Sequence, residues 1–157
     1  MNATTVFESI HHPHGASWGL VYTRFLARPL GVCIIPLMVG ATTSALLDQP
    51  VWGYLVWGLP AALVLATVWT HFSLGRTPAE LSFRSGQAAV RSVYDVLRGQ
   101  PRDWRPIFNV RTTAWSVEVA VGRTTHLFQP EQWPKFEALR DAARQSFQPQ
   151  ASPSSYG

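Results

Sequence analysis

Residues 28–76 read RPLGVCIIPLMVGATTSALLDQPVWGYLVWGLPAALVLATVWTHFSLGR, and between the two terminal arginines Asp48 is the single acidic or basic charge. Two largely apolar stretches, 29–47 and 49–75, flank it. A helix that spans a bilayer needs about 20 apolar residues at a rise of ~1.5 Å each. Both stretches meet that length, and only a short turn around Asp48-Gln49-Pro50 separates them. The reading is a transmembrane helical hairpin with spans at about 29–47 and 51–72.

The flanks orient it. Arg24 and Arg28 precede the first span, Arg76 and Arg84 follow the second, and the turn carries no basic residue. Basic residues in short flanks favour the cytoplasmic side. The expectation is a multi-pass protein of the bacterial inner (cytoplasmic) membrane, with both termini cytoplasmic and Asp48 outside. Residues 1–17 form a polar tail containing His11-His12-Pro13-His14. They lack the basic start and apolar run of a cleaved signal peptide, so the first span reads as a retained anchor.

Inside the hairpin, Pro36 and Pro60 each predict a kink, because proline removes a backbone donor and crowds the preceding turn. Trp52 and Tyr54 fall near one membrane boundary, Trp69 and Phe72 near the other, as aromatic belts do. Trp57 lies about a turn deeper. Gly58, Ala62, Ala66 and Thr70 recur at helical spacing, with Gly40 and Ser44 on the first helix. Small stripes let helix backbones approach closely; this one either packs the hairpin against itself or meets another subunit. Segment 18–28, with Trp18, Tyr22 and Phe25, reads either as a short interfacial helix or as the first turns of a longer first helix. Trp18, Tyr22, Trp57, Gly58, Ala62, Ala66 and Trp69 are the candidate contacts to partner or membrane.

From residue 76 the pattern changes. Glu80–Arg84 alternates and ends at Ser85-Gly86, a hairpin signal, with 87–94 as the return strand. Trp104–Val110 resumes extended structure. Trp115, Val117, Val119 and Val121 give the cleanest period of two, followed by a Gly122-Arg123 turn and the strand Thr124–Phe128. From Pro134 to Phe147, the stripe Phe136, Leu139, Ala143, Phe147 predicts an amphipathic helix. The expected fold class is an α+β membrane protein: a hairpin, then a small antiparallel β module of about five strands over residues 76–147, closed by the C-terminal helix. Residues 148–157 are a Pro/Ser tail. This order, with Leu81 and Phe83 opening the sheet, Asp103-Trp104 entering its middle, the valine strand and the Phe136–Phe147 helix, resembles small bacterial membrane proteins of unknown function that join a two-helix hairpin to a pleckstrin-homology-like (PH-like) domain. The resemblance implies a PH-like module, a fold that normally has seven strands.

Composition narrows the chemistry. The formal charge is +4, and twelve of the thirteen basic residues are arginine. The lone Cys33 lies in an apolar span, which excludes a disulfide framework and points to packing. The histidine run lacks the partner ligands of a closed metal site, and His126 sits on an alternating strand without a ligand-spaced acid. His71, near the cytoplasmic end of the second span, is the one candidate cofactor residue: an intramembrane imidazole could ligate a haem iron or a chlorophyll magnesium. The acids after Arg76 are scattered singly, and no phosphate-binding or triad motif is present. The reading is therefore not an enzyme. Eleven basic residues against seven acids from Arg76 onward suit anionic headgroups or an acidic partner, and too modestly for nucleic acid. The leading expectation is a non-catalytic accessory subunit of a larger integral membrane complex, photosynthetic or respiratory, with other membrane subunits and the lipid bilayer as partners and no cofactor. Two alternatives stay open: a free-standing anchored module that binds lipid headgroups or a soluble partner, and a haem- or chlorophyll-ligating subunit through His71.

Overall fold

The computed structural model describes residues 4–147, so the Pro/Ser tail at 148–157 lies outside the described residues. The protein is α+β and divides into two compact units: residues 13–77, and a unit assembled from the N-terminal residues together with those from Pro78 onward.

The first unit is a helical hairpin. Helix α1 runs unbroken over Trp18–Leu46, so the segment before Pro29 is the start of this helix rather than a separate one. Pro29 and Pro36 both lie inside it. Its end explains the solitary charge. Asp48 adopts φ 53°, with its N–H on the Ala45 carbonyl, while the Gln49 N–H donates to Ser44 O at 2.8 Å. This is the Schellman pattern, with Asp in the left-handed position that glycine usually fills. Pro50 follows and prevents the helix from continuing. The second helical segment, Tyr54–Arg76, opens with a wide π-wound stretch over Tyr54–Gly58 and continues as α2, Leu59–Arg76. Pro60 thus sits in the first turn of α2. The sequence predicts a kink at Pro60; what precedes it is π winding, where proline withholds its N–H from the turn before it. Both helices are long and apolar enough to cross a membrane.

The second unit is an open six-stranded antiparallel sheet in chain order. Its strands are β1 (Thr5–Glu8), β2 (Pro78–Arg84), β3 (Gln87–Ser92), β4 (Arg105–Thr112), β5 (Val117–Val121) and β6 (Thr124–Phe128). Strand β1 comes from the segment expected to be a polar tail. It pairs with β2, Phe7 opposite Leu81 and Glu8 opposite Glu80, which raises the expected five strands to six. The return strand ends at Ser92 instead of residue 94, because Ser92 and Asp95 form a reciprocal capping box that starts the short helix α3, Val93–Leu97. Trp115 stands outside β5 and is exposed. Helix α4, Phe136–Ser146, begins two residues after Pro134 and buries Phe136, Leu139 and Ala143.

Its stripe closes a core of Phe7, Leu81, Phe83, Ala88, Val117, Val119, Val121, Phe128 and Trp133. Two edge-to-face pairs set that packing, Phe7 on Phe83 and Phe128 on Trp133, with ring centroids 6.1 and 5.3 Å apart. Strands β3 and β4 pair through Gln87–Pro106 and Ala88–Arg105, with the Ile107 N–H donating to the Gly86 carbonyl at 3.0 Å. Pro106 turns its carbonyl the other way, accepting from the Gly122 N–H at 3.1 Å.

Candidate functional site

The expected contact residues of the hairpin fall into two groups. Ala62, Ala66 and Thr70 are buried on the α2 face toward α1, Ala66 completely. A Cβ at Gly58 would run into the Leu37 side chain of α1. Gly40 faces the Tyr54 ring, whose hydroxyl accepts from Ser44 Oγ at 3.2 Å. Tyr22, half-buried, reaches across to donate to the Thr67 carbonyl at 3.4 Å. The small-residue stripe therefore packs the hairpin against itself. Gly58, Ala62, Ala66 and Tyr22, expected as candidate partner contacts, are engaged within the hairpin. Trp18, Trp57 and Trp69 face outward, with Trp57 79% exposed. His71 is exposed on α2, one residue beyond the seam position Thr70.

The sheet unit holds a polar cleft where β3 and β4 part, which the sequence did not reveal. Its volume is about 480 Å³, and its walls are Val90, Arg91 and Asp95 on one side, Gln100, Pro101 and Asp103 from the following loop, and Arg105, Val121, Thr124 and His126 on the other. Beside it lies a buried ionic knot. Glu80 is buried, and its carboxylate accepts from Arg102 Nε at 2.6 Å, from Arg91 Nη1 at 3.3 Å and from Ser82 Oγ at 3.1 Å. Arg91 Nη2 also donates to the Asp95 carbonyl at 3.3 Å. The topology explains the burial: β2 is covered on both faces, Leu81 and Phe83 turned to the core and Glu80 and Ser82 to the opposite side.

Across the cleft, Arg105 donates from Nε and Nη2 to Asp103 Oδ2 at 2.8 and 2.7 Å. Its aliphatic arm lies on Gly122, where an added Cβ would stand 3.0 Å from Arg105 Cδ. Gly122 has φ 60°, so the turn needs glycine for conformation as well as for space. Burial, and then the neighbouring Arg105 charge, hold the His126 imidazole below its ordinary pKa of 6.5. The cleft therefore offers a neutral imidazole on the same wall as Arg105, which is paired with Asp103. That arrangement suits hydrogen-bonded recognition of a polar group.

Of the histidine run, His12 Nε2 lies 3.9 Å from Glu8 Oε1, so an acid on β1 stands beside the run.

No protein-family model matches the chain, and no match was found among curated proteins or solved structures.

Proposed function

We propose that the chain is a non-catalytic accessory subunit of an integral membrane assembly in the bacterial inner membrane. In this reading the hairpin is both anchor and contact surface, and the sheet unit is a PH-like cytoplasmic module. One observation carries it: the two long helices use their small residues on each other, yet leave aromatic and aliphatic faces exposed, with Trp52, Trp57 and Trp69 among them. Faces this apolar are out of place in water and belong against lipid or protein. Tryptophan also suits membrane boundaries and interfaces, having an apolar body and one donor. The flanking arginines support cytoplasmic termini. A bioenergetic host complex, photosynthetic or respiratory, extends this reading, and haem or chlorophyll ligation through His71 is a separate alternative to it.

The test is site-specific photo-crosslinking in native membranes, with a photoreactive residue at Trp57, Trp69 or Ala66. Trp57 and Trp69 should each yield a discrete adduct to the same membrane protein, and the buried Ala66 none beyond the chain itself. Adducts to lipid alone from both tryptophan positions, with the detergent-extracted chain running as a monomer, would overturn the subunit reading.

A further inference from the structure

The segment that leaves β1 brings a carboxylate and two imidazoles together. Glu8, His12 and His14 each offer one ligand atom, and these atoms all lie within 4.8 Å of one another. His12 Nε2 and Glu8 Oε1 stand 3.9 Å apart. Two atoms bound to one tetrahedral zinc at ~2.0–2.1 Å are about 3.4 Å from each other, so this pair has only about half an ångström to close. Glu8 to His14 is one short, continuous stretch of chain, and the arrangement is a property of that turn.

The turn is held from below. Ser9 is buried, its Oγ donating to the Pro78 carbonyl and its N–H to the Ala79 carbonyl, both at 2.9 Å. The Ile10 N–H donates to Gln132 O at 2.9 Å, and the His12 N–H returns to Ser9 O at 3.0 Å. Ligands carried on a backbone fixed in this way need little further ordering to bind. His14 itself takes φ 45°, a left-handed conformation that residues with a side chain adopt where their surroundings require it, often at ligand sites. Charge points the same way. Glu8 is the cross-strand neighbour of Glu80, and like charges directly opposite each other are unfavourable. A cation bound at Glu8 offsets that opposition.

We propose that Glu8, His12 and His14 form a binding site for a divalent transition-metal ion of the zinc class. The donor set decides the class: imidazole suits zinc, copper and nickel, whereas magnesium and calcium take oxygen ligands throughout. Two imidazoles and one carboxylate fill three tetrahedral positions and leave the fourth to water. The bound ion ties the end of β1 to the turn that follows it. The site does not depend on the accessory-subunit reading.

The experiment takes the full chain in mild detergent, stripped of metal with a chelator, and titrates it with Zn²⁺ in competition with a chromophoric chelator. One zinc should bind per chain. Glu8→Gln, His12→Ala and His14→Ala should each weaken binding at least about tenfold, the smaller of the losses seen even for residues that only support a ligand. His11→Ala changes the same histidine run outside the cluster and should leave the affinity as it was. Where a variant alters the far-ultraviolet circular dichroism, the histidine ring resonances of the unaltered chain decide. Zn²⁺ should shift those of His12 and His14 and leave those of His11 and His126 in place. No saturable one-to-one binding, an unchanged affinity in Glu8→Gln, or a loss in His11→Ala as large as in His12→Ala overturns the proposal. Zinc shifts spread evenly over His11, His12 and His14 overturn it as well, since they mark a histidine run that binds without a built site.

Discussion

Glu80→Ala should be the most damaging single polar substitution in the sheet unit. The Glu80 side chain is 6% exposed and carries the charge that compensates Arg91, itself 14% exposed. Removing one partner of a buried pair typically costs about 3–5 kcal/mol, because the other charge stays buried without compensation. Arg102 moderates this: at 38% exposure, its guanidinium turns into water once the 2.6 Å contact is lost. Arg91 keeps its bond to the Asp95 carbonyl. The expected loss therefore lies at the lower end, about 3 kcal/mol.

Glu80→Gln retains acceptor and shape while losing the charge, and should cost about 1.5–2 kcal/mol, the scale of a hydrogen bond to a charged group. Replacing Glu80 and Arg91 together by methionine should cost less than Glu80→Ala alone, since no orphaned charge remains. Urea unfolding of the full chain in mild detergent, followed by fluorescence of the buried Trp133, measures all three. With an m-value of about 1–1.5 kcal/mol/M, a 3 kcal/mol loss lowers the midpoint by about 2–3 M. A Glu80→Ala loss under about 1 kcal/mol, or a double variant no better than the single, would refute the claim that the knot is a buried, mutually dependent unit.

In the hairpin, Gly40→Ala would place a Cβ 2.7 Å from Tyr54 Cε1 and 3.2 Å from Cζ, against a ring tethered to Ser44. It should cost about 1–3 kcal/mol in detergent-titration unfolding, the usual range for overpacking. Gly58→Ala should cost less, because only the end of the Leu37 side chain has to turn away; the reverse order would refute this account of the seam. His126 is held neutral in the fold, so below pH 6.5 the unfolded chain takes up the proton first and stability falls as pH drops toward the lower folded pKa. Thermal unfolding of the full chain against His126→Gln should show the wild type losing more stability than the variant from pH 7 to pH 5, with parallel profiles refuting it.

The hairpin was legible because a bilayer-length gap in charge is a long-range signal that no local propensity can imitate. The paired strands around Gly86 and Gly122 were legible for the opposite reason: each is a short, local pattern of alternation closed by a glycine turn. What escaped lies between these scales. Strand β1 is four residues long, and its partner β2 begins some seventy residues later, so Thr5-Val6-Phe7-Glu8 carries no periodicity that a local reading can use. Helix α3 had a local signal, the Ser92/Asp95 spacing, but competed with a strand pattern running through Val93 and Tyr94. The cleft and the Glu80 knot draw on β2, β3, α3, the loop after it, β4 and β6. Their charges look scattered in sequence because the sheet register, and not the spacing, brings them together.

The small-residue stripe shows how the structure changes the functional argument as well as the fold. Read along the chain, Gly58, Ala62 and Ala66 suited the hairpin's own first helix first and a partner helix second. Their burial, with Leu37 occupying the space beside Gly58, assigns them inward. Close backbone approach by this stripe is thus used within the hairpin. On the proposed reading, a membrane partner meets a face where tryptophan and branched aliphatics dominate. Such a surface favours packing of side chain on side chain over tight backbone contact. Truncating one large residue, such as Trp57, should therefore disturb assembly more than enlarging a small one, while enlarging a small one should disturb the hairpin itself.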